Sequence, residues 1–273
     1  MQASDLPNAS FIFSQSSLQD YVDCPRRFQL RYLDQLHWPA VESAPVLENE
    51  RRQIEGQMFH RMVQQYLIGL PAEKLTPLAS TENLHRWWDN FLTRGPKLTG
   101  YDLFPELTLT APTGKDRLTA KYDLVAVKPG AQALIFDWKT YHKRPEETWM
   151  AERLQTLVYP ALLIKAGRHL NGGDLFQPEQ VEMIYWYADF PDQVTKIKTS
   201  QVSYTRAWSK LEQLIKEIGA RQSFPLTEDE RRCAFCVYRS YCERGGKAGV
   251  GGEFETELSS EDIPFEQIQE IEF

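Results

Sequence analysis

The sequence predicts an α/β fold, with a sheet gathered in the middle of the chain and helices packed before and after it. Three observations predict it. Two apolar runs, residues 124–127 and 133–136, flank Lys128-Pro129-Gly130, a breaker that reads as the turn of a β-hairpin. Stretches of helical period lie on both sides of that hairpin. Residues 181–188 and 194–199 then read as a strand pair that closes the sheet.

Taken in order, Ser14-Gln15-Ser16-Ser17 offers N-caps for a helix through Leu18, Tyr21, Phe28 and Leu33 to about Leu36, divided at Pro25. Residues 38–49 read as a loop. Residues 50–70 read as a second helix with Ile54, Met58, Met62 and Tyr66 on its apolar stripe, and His60 about half a turn away from it. A third helix spans residues 83–92, and residues 103–110 form a strand that contains Glu106. Beyond the hairpin, residues 148–166 read as one helix with Leu154, Leu157, Val158 and Leu162 inward. Gln155 and Tyr159 stand four apart on its adjoining face. A last helix over residues 205–218 leads to a cysteine-rich turn and an acidic tail.

With 273 residues, 42% of them hydrophobic, the chain can bury one large core or two modest ones. No apolar run approaches the roughly 18 residues of a membrane span. The polar start lacks the basic and then apolar pattern of a secretory leader, so a cytoplasmic protein with no membrane partner is expected. The net charge of -7 is unevenly placed: the last 23 residues hold eight acids and no Lys or Arg, leaving 31 basic against 30 acidic residues elsewhere. A nearly neutral body can still carry a basic groove for nucleic acid, with Arg26, Arg27 and Arg31 as candidates. The phosphate loop G-x-x-x-x-G-K-[ST] is absent, which excludes an ATP motor of that type.

The hairpin carries the chemistry. Asp123 opens its first strand, and Asp137 and Lys139 end its second. Alternation sends Asp137 and Lys139 to one side of the sheet and Trp138 to the other, while antiparallel pairing sets Asp123 beside Asp137. Two carboxylates and an ammonium suit divalent-metal hydrolysis, because a hard cation takes oxygen ligands and a lysine can orient or deprotonate the attacking water. Taken alone, D-x-K is more often an ion pair on a solvated strand edge, and only the rest of the chain overturns that reading. The four cysteines are Cys24 and then Cys233, Cys236 and Cys242 in the spacing C-x2-C-x5-C. In a reducing compartment this clustering favours one four-thiolate site, for Zn²⁺ or for an iron-sulfur cluster, that closes nearly the whole chain into a loop.

Six segments together carry a resemblance: SSLQDYVDCPRRFQLRYL from Ser16, GQMFHRMV from Gly56, KYDLVAV, LIFDWKT, LQTLVYPALL from Leu154 and CAFCVYRSYC. In this order they resemble the PD-(D/E)xK nucleases of RecB/AddB type, and within them the iron-sulfur group that includes the CRISPR-associated iron-sulfur exonucleases. The resemblance implies a restriction-endonuclease-like core, a central mixed sheet flanked by helices, over residues 11–244; residues 245–273 are not part of the pattern and read from their composition as an acidic, solvated, disorder-prone tail. It implies a Mg²⁺- or Mn²⁺-dependent deoxyribonuclease, an exonuclease by preference, acting on single-stranded DNA or duplex ends in repair or CRISPR-type processing. Helicase or integrase subunits on other chains would be its partners. His60, Asp123, Asp137 and the carbonyl of Trp138 would hold the metal, and Lys139 would activate water. Gln155 and Tyr159 match the helix motif beside the site, and Glu106 matches an acid of the preceding strand. Cys24, Cys233, Cys236 and Cys242 would hold a [4Fe-4S] cluster stapling a helical region that joins the two ends. Tyr122 stands where the namesake proline would be, and Asp137 where Glu is also found.

Two other functions fit the same residues: a non-catalytic DNA-end-binding subunit of a helicase-nuclease or adaptation complex, and a zinc protein using the four cysteines structurally. Trp38, Trp87 and Trp88 are candidates for stacking exposed bases.

Overall fold

A computed structural model describes residues 10–37 and 44–245, the side chains of residues 44–50 excepted. Ser14 caps the first helix, its hydroxyl accepting from the Ser17 N–H while the Ser17 hydroxyl answers the Ser14 N–H. That helix, α1 (Gln15–Asp23), stops at the extended residue Cys24, and Pro25 starts α2 (Pro25–Phe28), which runs into a π-helical turn at Gln29–Leu33. The expected division at Pro25 is thus present. Ahead of α1, residues Ile12–Ser14 form β1, a strand too short to leave a period in the sequence.

α3 (Ala44–Leu67) begins earlier than the expected residue 50, because Pro45 falls in the first turn, where its missing N–H costs nothing. Its buried face is also rotated from the expected one. Phe59, Met62 and Val63 are fully buried, whereas Ile54 and Tyr66 are exposed. Both stripes have helical period, and Phe59 decides between them by stacking on Trp186 and meeting Trp87 and Phe91 edge-on. α4 (Ala72–Leu75) and α5 (Glu82–Arg94) follow, the latter with its Thr81 cap. α5 turns Trp87 and Trp88 inward, so these two cannot stack DNA bases; they are core residues. Trp38 and the acidic tail from residue 246 lie outside the described residues.

The sheet has six strands: β1, β2 (Asp102–Thr113), β3 (Asp116–Lys128), β4 (Gln132–Lys139), β5 (Val181–Tyr187) and β6 (Thr195–Lys198). The predicted hairpin is β3–β4, with Gly130 supplying the positive φ of its turn, and β5–β6 is the predicted closing pair. The sheet is mixed, since β1 runs parallel to β3 and β4 parallel to β5. β2 covers one edge of β3 along nearly its whole length. The other edge is shared: β1 pairs with residues 117–119 and β4 with residues 124–128. Between those two partners lies a short gap in the pairing, and Asp123 is in it.

The same point breaks the alternation of the sheet. Leu118, Ala120 and Tyr122 face one core, yet so do Val125 and Val127, while Leu124 and Ala126 face the other. Asp123 is the position at which β3 changes parity. On β2 the opposite position is Glu106, with φ of 54° in the left-handed region, and the ladder skips both residues without shifting register.

The expected single helix over residues 148–166 is two: α6 (Glu147–Glu152) and α7 (Leu154–Ala166), separated by Arg153 in an extended conformation. Nothing in the periodicity marks the break, because Arg is a good helix former and tertiary contacts override it. α7 packs on β2, β3 and β5, and α8 (Gln201–Ala220), capped by Ser200, packs on α7. α3 and α5 cover the opposite face with an aromatic core. No helix of the described residues is long and apolar enough to cross a membrane.

Candidate active site

The end of β4 presents Asp137 and Lys139 to the α7 face and Trp138 to the α3–α5 face, as alternation requires. The Lys139 Nζ lies 2.9 Å from Asp137 Oδ2 and donates to Gln155 Oε1 at 3.0 Å. Gln155, in the first turn of α7, donates from its Nε2 to Asp137 Oδ1 at 2.5 Å. One amide thus bridges acid and base, and fixes their separation. All three are buried, so this is not the solvated strand-edge pair that D-x-K alone allows.

Asp123 reaches the same point from β3. The β3–β4 ladder ends at Leu124↔Phe136, and the next pair along would be Asp123 and Asp137. In place of a ladder bond, Asp123 Oδ2 accepts the Trp138 N–H at 2.8 Å. Its Oδ1 lies 3.1 Å from Nδ1 of His60, which α3 brings from the opposite side. That approach is possible because β3 changes parity at Asp123. One turn before His60, Gly56 lets α3 press on the end of β4: a Cβ there would come within 3.1 Å of Thr140 Oγ1.

Burial works against charge on His60, but the neighbouring Asp123 and Asp137 carboxylates hold its pKa above the ordinary value. Burial likewise opposes ionisation of Asp123, and His60, the Trp138 N–H and Lys139 outweigh it to bring its pKa down. Around the lysine, the rings of Tyr185 and Tyr141 stand 5.6 and 5.7 Å from its Nζ. The phenol of Tyr185 is pushed up by burial and then by the charge of Asp137, so it stays protonated.

Other expected site residues fall elsewhere. Glu106 ion-pairs with Lys121 on β3. Tyr159 packs its ring at 4.8 Å from that of Tyr122, and its carbonyl accepts the Tyr122 hydroxyl at 2.9 Å. Tyr185 was not foreseen in the sequence. A signal for it existed: Tyr185-Trp186-Tyr187 repeats the parity of Asp137-Trp138-Lys139, and the two triplets pair residue for residue.

As they stand, no three or more His, Cys, Asp or Glu side chains among the described residues are arranged to hold a metal ion. At the acid centre, Asp123 and Asp137 are bonded to His60, the Trp138 N–H, Gln155 and Lys139. The donor set itself, one imidazole and two carboxylates beside a main-chain carbonyl, suits a hard divalent cation once those bonds exchange.

The four cysteines share one neighbourhood. All are free thiols, with Cys24 and Cys233 buried. Burial pushes the Cys242 thiol up to about 11, and the other three cysteines act on it as well. Arg27 binds Asp20 and Asp23 at 2.6 and 2.8 Å behind Cys24, and Arg232 pairs with the same Asp23 across the chain. Four soft sulfur donors fit zinc or an iron-sulfur cluster.

Among solved structures, the chain is similar to SSO0001, at 10% identity over 85% of this chain and 86% of that one, with a TM-score of 0.41. It is also similar to a "putative exonuclease" from Eubacterium rectale, at 12% identity over 75% and 79%, with a TM-score of 0.46. No curated protein matches it. The profile of the PD-(D/E)XK nuclease superfamily matches residues 12–243, which span both the acid centre and the cysteine corner. With the Asp137–Lys139 pair at a strand end and Asp123 beside it on a mixed sheet, this chain belongs to the PD-(D/E)XK nuclease superfamily.

Proposed function

We propose that the chain is a metal-dependent deoxyribonuclease, exonucleolytic in mode, that hydrolyses phosphodiester bonds where β3 and β4 part. The observation that carries this reading is the buried Asp137–Gln155–Lys139 network with Asp123 and His60 beside it. Family membership supports DNA as the substrate. His60, Asp123, Asp137 and the carbonyl of Trp138 would hold Mg²⁺ or Mn²⁺, which when bound supplies charge neutralisation and a more acidic water. Lys139, held by Gln155, orients the attacking water and offsets charge developing on phosphate. Tyr185 and Tyr141 confine that ammonium so that it faces the acids. Tyr159 supports Tyr122 beneath the site, and Glu106 acts through strand geometry.

Cys24, Cys233, Cys236 and Cys242 would carry a [4Fe-4S] cluster that staples the first helix to the C-terminal segment. The nuclease domain is residues 11–244, with an acidic appendage after it. A cytoplasmic enzyme of DNA repair or CRISPR-type processing, working beside helicase or integrase chains, fits this reading. The test is anaerobic purification with iron and sulfide assays, then cleavage of end-labelled single- and double-stranded DNA with Mg²⁺ or Mn²⁺. A brown protein that releases nucleotides only with added metal is expected. Absence of cleavage under all these conditions removes the nuclease reading, and a colourless protein with one bound zinc removes the iron-sulfur part alone.

A further inference from the structure

Five of the six described tryptophans, Trp87, Trp88, Trp138, Trp186 and Trp208, are buried, at 9% exposure or less. Trp149, on α6, is the exception at 41%. Single exposed apolar side chains are ordinary, so exposure alone means little. What sets this ring apart is the arginine stacked on it, two residues before Gln155. The guanidinium of Arg153 lies 4.5 Å from the centre of the indole. The same guanidinium is half-buried and within electrostatic reach of Tyr185, Asp23 and Asp137, and of the like-charged Arg232.

The placement is rigid. Met150, next to Trp149, is fully buried, and its carbonyl accepts the Thr156 hydroxyl at 2.5 Å. That hydroxyl lies 2.6 Å from the Tyr185 hydroxyl, beside the ring that flanks Lys139. α6 is therefore tied through one threonine to the floor of the site. The extended backbone at Arg153 ends α6 and begins α7, two residues before Gln155. Seven residues, 149–155, thus run from an open aromatic ring to the amide that bridges Asp137 and Lys139.

We propose that Trp149 and Arg153 form a nucleotide-binding step at the entrance of the acid centre: the indole stacks one unstacked base, and the guanidinium takes the phosphate that follows it toward Asp137. The inference rests on the nuclease reading and adds a substrate class to it, a strand with at least one unpaired base beside the scissile bond. Arg153 covers one side of the indole, and its planar fork suits a phosphate oxygen pair. The base takes exposed indole surface, and stacking tolerates any sequence because every base has a π-face.

The experiment measures oligothymidylate binding in Ca²⁺ by anisotropy of a labelled strand and, separately, by intrinsic tryptophan fluorescence. An abasic oligomer of equal length is the control, and thermal melts verify folding of each variant. Wild-type fluorescence is quenched by oligothymidylate and not by the abasic strand. Trp149→Phe keeps affinity within about threefold because a ring remains, but loses the quench, whereas Trp149→Ala weakens binding about tenfold or more. Arg153→Lys, which keeps charge and loses the planar fork, weakens binding of both strands. Quenching that persists in Trp149→Phe, or unchanged affinity in Trp149→Ala, overturns the inference. Wild-type cleavage of the same oligothymidylate with Mg²⁺ or Mn²⁺ separates the two readings. Binding through Trp149 without cleavage sinks the nuclease and keeps the step; cleavage with Trp149→Ala binding normally does the reverse.

Discussion

The acid centre and the cysteine corner are assembled by opposite means. Asp137 and Lys139 stand two apart on one strand and are bonded to each other and to Gln155, while Asp123, one register step away on the next, accepts the Trp138 N–H and meets His60. Regular backbone does the positioning. The cysteine corner instead joins Cys24, an extended residue between two short helices, to a segment more than 200 residues later built of short turns. Isolated long-range ties do the positioning there: Arg232 meets Asp23, the Tyr238 hydroxyl donates to the Leu36 carbonyl at 2.9 Å, and the main-chain N–H of Arg26 donates to the Pro225 carbonyl at 3.1 Å. The first centre is organised by its own hydrogen bonds and ion pair. The second is held by several hydrogen bonds and ion pairs around four free thiols.

The largest effect expected from this contrast is at β4. Asp137→Asn keeps the shape and removes the carboxylate charge, so cleavage should fall by about 10³-fold or more, and the melting temperature should also drop because the buried Lys139 ammonium loses its counter-charge. Asp137→Ala should lose activity equally and also cost about 3–5 kcal/mol, since it leaves a buried ammonium unpaired. Chemical denaturation of the two variants checks this. Wild-type cleavage by Asp137→Asn would remove the site assignment.

At the other corner, Cys24→Ser should lose colour and about 2–4 kcal/mol, as expected for a long-range closure. Because Arg232 still reaches Asp23, proteolysis over residues 224–232 should accelerate further in the Cys24→Ser/Asp23→Ala double variant than in either single one. Equal nicking of the single and double variants would show that the ion pairs hold nothing.

How much of this was legible depends on what each feature rests on. The hairpin, the parity of Asp137 and Lys139, and the nearness of Asp123 follow from local alternation and a turn, and all three are present. What the sequence could not show is non-local. The burial of the Asp137–Lys139 pair depends on Gln155 and Tyr185 from other elements. The rotation of the α3 face depends on Trp186 and α5, and the break at Arg153 on packing around Thr156. The parity change at Asp123 needs two partners on one edge of β3, one of them a three-residue strand with no period to detect.

A third, smaller effect is in pH. His60 has a raised pKa, so in the metal-free protein its pairing with Asp123 contributes fully below the unfolded histidine value and is lost as pH rises through the folded one. A cation needs the neutral imidazole and competes with that proton. Metal affinity should therefore increase as pH rises through the folded His60 value, with proton release measurable by calorimetry in buffers of different ionisation enthalpy. Binding that is flat across that range would exclude His60 as a ligand.

The smallest effect is expected at Glu106. Its pairing with Lys121 is partly exposed and worth at most about 1 kcal/mol, so Glu106→Gln should change cleavage less than about tenfold. A loss as deep as that of Asp137→Asn would place Glu106 among the ligands.

The close approach of Gly56 to Thr140 bears on how the proposed cation site would choose its ion. With 3.1 Å from a would-be Cβ to Thr140 Oγ1, a methyl at position 56 requires a few tenths of an ångström of yielding, one turn from His60. Metal–oxygen distances are about 2.0–2.1 Å for Mg²⁺ and about 2.3–2.6 Å for Ca²⁺, a difference of the same size. If the proposed cation sits beside His60, Gly56→Ala should push α3 away from the Thr140 hydroxyl and shift selectivity from Mg²⁺ toward larger cations, and adding Thr140→Ala should restore it.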